Sequence, residues 1–505
     1  MSRDEIWTRL GEVRGGAAKQ TLPKGWQLRF PNTLRTVYED GQDQQPVFEP
    51  ALLHFPNAYR AGDPRFPDPE LAHRWLAARR KALGLVLAAV SASGYADDLM
   101  LRGSVLMSSW YPEAAREPGD LDFVVLADTW KMPDPRTFAL FEALARTAEQ
   151  LSAEDDTVRV DASGAVGDEI WTYDRVPGRR LMLPWHTVHA DLPGGWIQLD
   201  FVFGEKIHLE PERAEIAGAQ LLVASKELSL AWKLVWLLTD MHPQGKDLYD
   251  AVLLAQDVPL RYSVARDAIC EADPYYAARP LVFAELTELD VEAGWDHFQR
   301  EYPAVEGSAD DWKLKLCTAL EPTFTRLDGR AASPYELEAA WLAPLIAQIA
   351  AETDDRGGRL QQVLVDRHLK LSTAIVVTRE LVGRDEMTAA DAVRTVLSVP
   401  ARAAAGQQSD RYWPMERAAR AYGVELRAPW PKHLADAPVV AVVRAEFHDF
   451  MVSDALEILA PLATDPDPRF ADGAVLAEVV RASKGDLTLL HCAVQRARTA
   501  ALNET

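Results

Sequence analysis

Leu99-Met100-Leu101-Arg102-Gly103-Ser104 reads as a short apolar strand that runs into a Gly-Ser pair, and fifteen residues later Asp120-Leu121-Asp122-Phe123-Val124-Val125-Leu126 reads as a second strand. In the second, charge and bulk alternate and then give way to a β-branched run, the pattern of a buried strand. A helix is predicted to begin at Gly103-Ser104, with Val105, Leu106 and Trp110 on its apolar side. A strand ending in Gly-Ser before a helix presents backbone N–H groups and a hydroxyl at a helix start, a ready cradle for a phosphate. Asp120 and Asp122 are separated by one residue, so both side chains point the same way, ~7 Å apart along the strand. Such a pair suits one or two Mg²⁺ ions, which prefer few carboxylates and fill the rest of their shell with phosphate and water. A lone Asp-x-Asp is commonly no more than a polar strand end; the Gly-Ser before it is what gives it weight. Together the two features suit phosphoryl or nucleotidyl transfer.

A third carboxylate lies in Ile197-Gln198-Leu199-Asp200-Phe201-Val202-Phe203, a run otherwise mostly apolar. A carboxylate within a buried strand is costly unless something compensates it. Two compensations are open to Asp200: a metal shared with Asp120 and Asp122, or a salt bridge to a nearby Arg such as Arg179 or Arg180.

Outward from this centre the chain divides by pattern. Residues 1–68 are irregular, interrupted by Pro, Gly and Asn, and read as an N-terminal extension. A helix is predicted from Pro69 to about Ser93, capped by Asp68, with Arg79, Arg80 and Lys81 toward solvent. Another is expected from Asp134 to Leu151. The segment 157–204 looks β-rich, with strands at Val158-Arg159-Val160, Arg180-Leu181-Met182-Leu183 and Trp196 to Phe203. From Lys226 the pattern turns helical, with Ser225 as a cap and a second helix from about Lys246 to Gln256. The break at Asp328-Gly329-Arg330-Ala331-Ala332-Ser333-Pro334 marks the expected boundary of a C-terminal domain. The resulting division is 1–68, an α/β core over 69–220, a helical part over 221–330, and a mainly α-helical domain over 331–505.

Composition bounds the function. The chain has 505 residues, 48% of them apolar, enough to bury a large core, and a formal charge of −22. Residues 1–330 hold −17 of that charge. Such acidity argues against coating nucleic acid by bulk charge, though not against a local basic groove. Three distant cysteines (Cys270, Cys317, Cys492) build neither a disulfide framework nor a Cys-based zinc site. His186 and His189 form no zinc motif, and no HExxH occurs. No signal-peptide run and no membrane-length apolar stretch is present, so a cytoplasmic protein without membrane partners is expected. Arg411-Tyr412-Trp413-Pro414 with Arg417, Arg420 and Arg427 is locally basic and aromatic, either a solvated helix face or a surface for RNA or a partner.

The Gly-Ser, Asp-x-Asp and later-Asp constellation resembles the nucleotidyltransferase superfamily of the DNA polymerase β type, with a slightly longer spacing and an enlarged loop over Tyr111 to Glu117. Two further motifs narrow the likeness. Leu230-Ala231-Trp232-Lys233-Leu234-Val235-Trp236 places one Lys in an apolar helix, and Gly245-Lys246-Asp247-Leu248-Tyr249-Asp250 opens the next. The combination resembles the abortive-infection AbiEii/AbiGii nucleotidyltransferase toxin family over roughly residues 70–300. Arg116 matches the basic residue that family carries before its Asp-x-Asp. Two departures are Pro118, where Ser is usual, and Lys246, where Arg is frequent.

The resemblance implies a nucleotidyltransferase fold with a mixed sheet, followed by a helical subdomain. It implies Mg²⁺ on Asp120, Asp122 and Asp200, and catalytic roles for these three with Lys233 and Asp247. Gly103, Ser104, Arg116, Lys233 and Lys246 are the expected NTP-binding residues. Chemically, Lys233 suits a triphosphate as a point charge, or else snorkels at a helix surface. Asp247 and Asp250 share one helix side; Asp247 suits either pairing with Lys233 or orienting the acceptor, and Tyr249 is a core residue or a base-stacking one. The implied activity is transfer of a nucleotide from NTP to a macromolecule, with tRNA 3′ ends a leading acceptor. The implied setting is toxin–antitoxin or phage defence, with a separately encoded antitoxin. Two alternatives are a small-molecule nucleotidyltransferase of the antibiotic-modifying kind and a non-catalytic binding module on the same fold.

Overall fold

A computed structural model describes residues 43–48, 59–170, 176–188, 192–240, 242–281, 283–352, 369, 371–388, 391–392, 438–447, 455–456, 458–459, 462, 473–484, 489–490, 493–494 and 497. Most of the expected N-terminal extension, His189, Cys492 and the Arg411–Arg427 stretch lie outside the described residues. The chain separates into two compact units, one of residues 1–272 with 283–321 and one of 273–282 with 322–505.

The first unit is mixed α/β. Strands β1 (Gln44–Phe48) and β2 (Tyr59–Pro64) pair with each other. Helix α1 (Pro69–Ala92) starts as the sequence predicts: Asp68 accepts the Glu70 N–H and Pro69 occupies the first turn. The larger sheet contains β3 (Leu99–Arg102), β4 (Leu121–Val125), β5 (Val158–Val160), β6 (Val166–Ile170), β7 (Gly178–Thr187), β8 (Gly195–Phe203), β9 (Glu212–Ile216) and β10 (Ala219–Val223). Its order is β5-β7-β8-β4-β3-β10-β9, with β6 beside β7. The β4–β8 and β3–β10 pairs are parallel, while β3–β4 and β7–β8 are antiparallel. Helices α2 (Ser104–Trp110) and α3 (Pro135–Ser152) fall between strands. After the sheet come α4 (Lys226–Thr239), capped by Ser225, then α5 (Gly245–Asp257) and α6 (Tyr262–Ala272).

Strands β1 and β2 correct the reading of residues 1–68 as irregular throughout, and β9 and β10 also escape the sequence pattern. β9 and β10 join through Ala217 and Gly218, both at positive φ (50° and 84°), as a two-residue hairpin turn requires. Ala is an uncommon residue there, so the turn is not announced. β10 carries the sheet across residues 219–223, to lie parallel with β3.

The two faces of β4 and β8 differ. Phe123 and Phe201 are register partners whose rings stack at 5.4 Å, and Phe141 of α3 packs on Phe201. This apolar face joins the core with Trp75, Val86 and Leu144 from α1 and α3. Asp122 and Asp200 alternate with these residues and take the opposite face. Strand alternation therefore both buries the core and lines up the carboxylates.

Beyond α6 and the short helix Phe283–Thr287 comes α7 (Glu292–Glu301), which meets α5 at glycine contacts. A Cβ on Gly294 would lie 2.3 Å from the Pro243 carbonyl oxygen, and one on Gly245 would lie 2.7 Å from the Trp295 Cα. Tyr249, Trp295, Phe298 and Trp312 cluster beside this contact with ring centroids 4.8–5.6 Å apart. Tyr249 is thus a core residue.

The described elements of the second unit beyond residue 333 are helices, among them Pro334–Glu352, Leu371–Val382, Pro438–Glu446 and Gly473–Ala482. Among the described residues no helix is long and apolar enough to cross a membrane.

The glycine contact predicts a contrast. Gly294→Ala forces a backbone shift and lowers stability by about 1–3 kcal/mol. Gly84→Ala, in α1, meets nothing nearer than 3.8 Å and adds about 0.5–1 kcal/mol through helix propensity. Denaturant unfolding followed by tryptophan fluorescence checks both.

Candidate active site

Register places the charges. Arg102 on β3 pairs with Asp122 on β4, Asp122 with Asp200 on β8, and Asp200 with Arg180 on β7. Four neighbouring strands thus carry a row of charged side chains on one face. Asp120, at the entry to β4, adds a third carboxylate, and one oxygen each of Asp120, Asp122 and Asp200 lie within 4.8 Å of one another.

Three like charges this close raise the cost of ionisation. Burial, then Asp120 and Asp200, push the Asp122 carboxyl up to about 8, against the pull of Arg102 and Lys246. Arg102 is already engaged: its Nη1 donates to Glu205 at 2.6 Å, and its guanidinium lies 4.9 Å from the Trp232 ring centre and 5.4 Å from that of Trp236. Asp200 has its own cation. Arg180, 2% exposed, donates Nε to Oδ1 at 2.7 Å and Nη2 to Oδ2 at 2.8 Å, and Gln198 donates to Oδ2 at 3.1 Å. Of the two compensations open to Asp200 in the sequence, the arginine is present, and the triad with Asp120 and Asp122 is an arrangement that could hold the other, a metal.

Gly103 and Ser104 lie against these carboxylates. Gly103 sits at φ 84°, and a Cβ there would fall 2.3 Å from Asp122 Oδ2. Only glycine lets the β3–α2 turn come this close. Ser104 opens α2, is 2% exposed, and directs Oγ to Asp120 Oδ1 at 3.4 Å.

The loop between α2 and β4, read as enlarged over Tyr111 to Glu117, is tied at successive points. Tyr111 Oη donates to Asp257 at 2.9 Å, Tyr249 Oη to the Ala114 carbonyl at 2.6 Å, and Arg116 Nη2 to Asp250 at 3.2 Å. Arg80 pairs with Glu117, and Arg79 Nη2 donates to the Gly119 carbonyl at 3.1 Å. Arg79 is 4% exposed, which corrects the expectation that it faces solvent. Its guanidinium fixes the residue before Asp120, a role helix periodicity alone does not reveal.

A second charged group lies behind the loop. Lys233, 5% exposed, has Nζ 2.7 Å from Asp247 Oδ1 and 3.0 Å from Asp250 Oδ2. Burial works against the Lys233 charge, yet Asp247 and Asp250 outweigh it and hold the pKa above its usual value. Burial likewise opposes the charge of Asp250, which Arg116 and Lys233 nonetheless hold below the usual carboxylate range. Lys233 is therefore a buried ion-pair partner, not a lysine snorkelling at a helix surface. Arg116 is spent on Asp250 while lying close enough to Asp120 to sense its charge. Lys246 differs from both. It is half-buried in the first turn of α5, close enough to Asp122 to favour its ionised form. It makes no ion pair or hydrogen bond among the described residues.

Cations are thus distributed unevenly: Asp200 is matched by Arg180, Asp247 and Asp250 share Lys233, and Asp122 is reached only by the more distant charges of Arg102 and Lys246. The donor set is all oxygen and suits a hard divalent cation of the Mg²⁺ type. The elevated Asp122 carboxyl is what a bound dication relieves.

Residues 85–317 match the family model described as nucleotidyl transferase AbiEii toxin, type IV toxin–antitoxin system. That stretch contains all nine residues singled out from sequence, and its similarity is to a nucleotidyltransferase domain. No curated protein matches the chain.

The electrostatics of the two clusters can be tested separately. Lys233→Met leaves Asp247 and Asp250 facing each other without their shared cation and costs about 3–5 kcal/mol. Adding Asp250→Asn recovers part of that loss, read from unfolding curves. For Asp122, the folded metal-free protein holds a proton between about pH 4 and about 8 that the unfolded chain has released, so stability falls as pH rises through this window. The stability of Asp122→Asn relative to wild type therefore grows from about pH 5 to about pH 8.5 in thermal melts, and added dication narrows the gap.

Proposed function

We propose that this chain is a metal-dependent nucleotidyltransferase toxin that transfers a nucleotide from NTP to an RNA acceptor, with tRNA 3′ ends foremost. The observation that carries the reading is the carboxylate triad, three oxygens within 4.8 Å on register-paired strands. The region around it has a nucleotidyltransferase-type architecture.

In this reading Asp120 and Asp122 hold Mg²⁺, with Asp200 beside them. The ion supplies charge neutralisation at the transferring phosphate and lowers the pKa of what it binds. The protein's own groups do the rest. The Gly103 backbone and the Ser104 hydroxyl receive the terminal phosphates. Lys246 offers its ammonium to the triphosphate, offsetting charge on the departing pyrophosphate. Lys233 reaches the site through Asp247, whose carboxylate it holds in place. Arg116 and Arg79 hold the loop that delivers Asp120. Asp200 accepts a hydrogen bond from the acceptor hydroxyl that attacks the α-phosphorus in line. A cytoplasmic site of action, a role in phage defence and a separately encoded antitoxin belong to the same reading.

The test is incubation with each labelled NTP, Mg²⁺ and either total RNA or total protein. Label appears in RNA with one or two NTPs. Asp122→Ala reduces it by at least about a hundredfold, beyond the ~10–100-fold typical of losing an outer-shell partner. Equal transfer by both proteins sinks the assignment, and label on a small molecule in place of RNA redirects the acceptor. Lys246→Ala raises the KM for NTP about tenfold or more, as loss of a charge-assisted phosphate contact implies.

A further inference from the structure

Asp122 and Asp200 owe their places to strand register, but Asp120 does not. The β4–β8 ladder begins at Leu121, which pairs with Leu199, so Asp120 stands one residue before it. Pro118 and Gly119 lead into Asp120. Proline offers no N–H to anchor its peptide, and glycine has the widest backbone freedom of any residue. A carboxylate that meets two others within 4.8 Å thus follows a soft joint.

The joint is gripped from another element. Arg79 of α1, 4% exposed, donates Nη2 to the Gly119 carbonyl at 3.1 Å. That carbonyl oxygen belongs to the same planar peptide unit as the amide nitrogen and Cα of Asp120. Holding the oxygen therefore holds the plane from which the Asp120 side chain departs. Asp63 of β2, half-exposed, lies 3.6 Å from Arg79 Nε. Its charge also reaches Tyr302, just past α7, whose hydroxyl bonds Arg116 on the same loop. Burying a guanidinium against a carbonyl and a half-exposed carboxylate is costly as a stability device. Its target is a joint that register leaves open. Both Asp63 and Arg79 precede the stretch 85–317 that the family model matches.

We propose that Arg79 is a positioning residue for nucleotidyl transfer. Through the Gly119 carbonyl it sets the orientation of Asp120, and Asp63 steadies its guanidinium from the N-terminal strand pair. The proposal rests on the metal-dependent reading above. It extends the catalytic unit upstream of the matched stretch, into α1 and the β1–β2 pair.

The experiment uses the full chain and Mn²⁺ as probe, with uptake by nucleotide-free protein followed through the electron paramagnetic resonance of the free ion. Thermal melts give the folded fraction of each variant. Arg79→Met frees the Gly119 peptide to turn. Mn²⁺ then binds about threefold or more weakly per folded molecule, and transfer at saturating NTP falls about ten- to a hundredfold, the range of outer-shell losses. The KM for NTP stays within about threefold, since the lost interaction is one of orientation and not of substrate binding. Arg79→Lys, a point charge in place of a planar fork, shifts both quantities the same way by less. Asp63→Ala does likewise, because a pair to a half-exposed carboxylate is weak. Arg80→Met removes the exposed pair with Glu117 one residue along α1 and leaves both quantities within about twofold. A merely structural arginine would lower stability and leave Mn²⁺ affinity and rate per folded molecule unchanged. That result in Arg79→Met overturns the proposal. If Arg79→Met does not fold, the same result in Arg79→Lys and Asp63→Ala together overturns it. So does an equal loss in Arg80→Met. Wild-type behaviour of the Arg79 variants beside an inactive Asp122→Ala overturns this proposal alone, whereas transfer that survives Asp122→Ala overturns the metal-dependent reading and this proposal with it.

Discussion

Asp122 and Asp200 stand side by side on neighbouring parallel strands, and their mutual repulsion is the constraint that the surrounding structure answers. Strand pairing forces them together, because β4 and β8 must present Phe123 and Phe201 to the core and alternation leaves the aspartates on the other face. The two are answered differently. Asp200 is neutralised from β7 by Arg180. Asp122 has only a committed arginine on one side and Lys246 at a distance, so burial and the neighbouring carboxylates hold its carboxyl well above the usual carboxylate range. A site with one settled and one unsettled carboxylate is a receptor for positive charge.

The second cluster, Lys233 with Asp247, Asp250 and Arg116, has a different character. Its charges are paired among themselves and buried, which gives rigidity at a cost in desolvation. Through Arg116 and the Tyr249 hydroxyl it holds the loop between α2 and β4, and through the Gly245–Trp295 contact it fixes the start of α5, where Lys246 sits. The net charge of −22 is reconciled with the triphosphate substrate proposed above by this economy. Most nearby cations are consumed in holding carboxylates, and one half-buried lysine is left facing the triad.

Much of this is legible in the sequence. Leu99–Arg102, Leu121–Val125 and the Asp200 strand are readable because a β-branched and apolar run interrupted by a single charge fits a buried strand and little else. Asp68, Pro69 and Ser225 announce helix starts through local hydrogen bonding that needs no tertiary context. What stays hidden depends on distant partners. Arg79 looks solvent-facing because periodicity says nothing of a carbonyl 40 residues away. Lys233 can be matched with Asp247 in the sequence, but that it serves Asp250 as well is set by how the next helix packs. β9 and β10 escape notice because Ala217 adopts a conformation its type seldom takes. Arg180 is visible only as one of two arginines able to pair with Asp200, and register alone chooses between them.

The parallel β4–β8 pairing joins residues about 80 positions apart, a long-range contact of the kind that forms late in folding. Helix α5, which brings Lys246 and Asp247, follows later still in the chain. During synthesis, therefore, a nascent chain that ends before β8 carries Asp120 and Asp122 but not Asp200, and so no assembled triad. Premature termination, or proteolysis between β4 and β8, yields fragments that hold the most recognisable motif and none of the arrangement that gives it force.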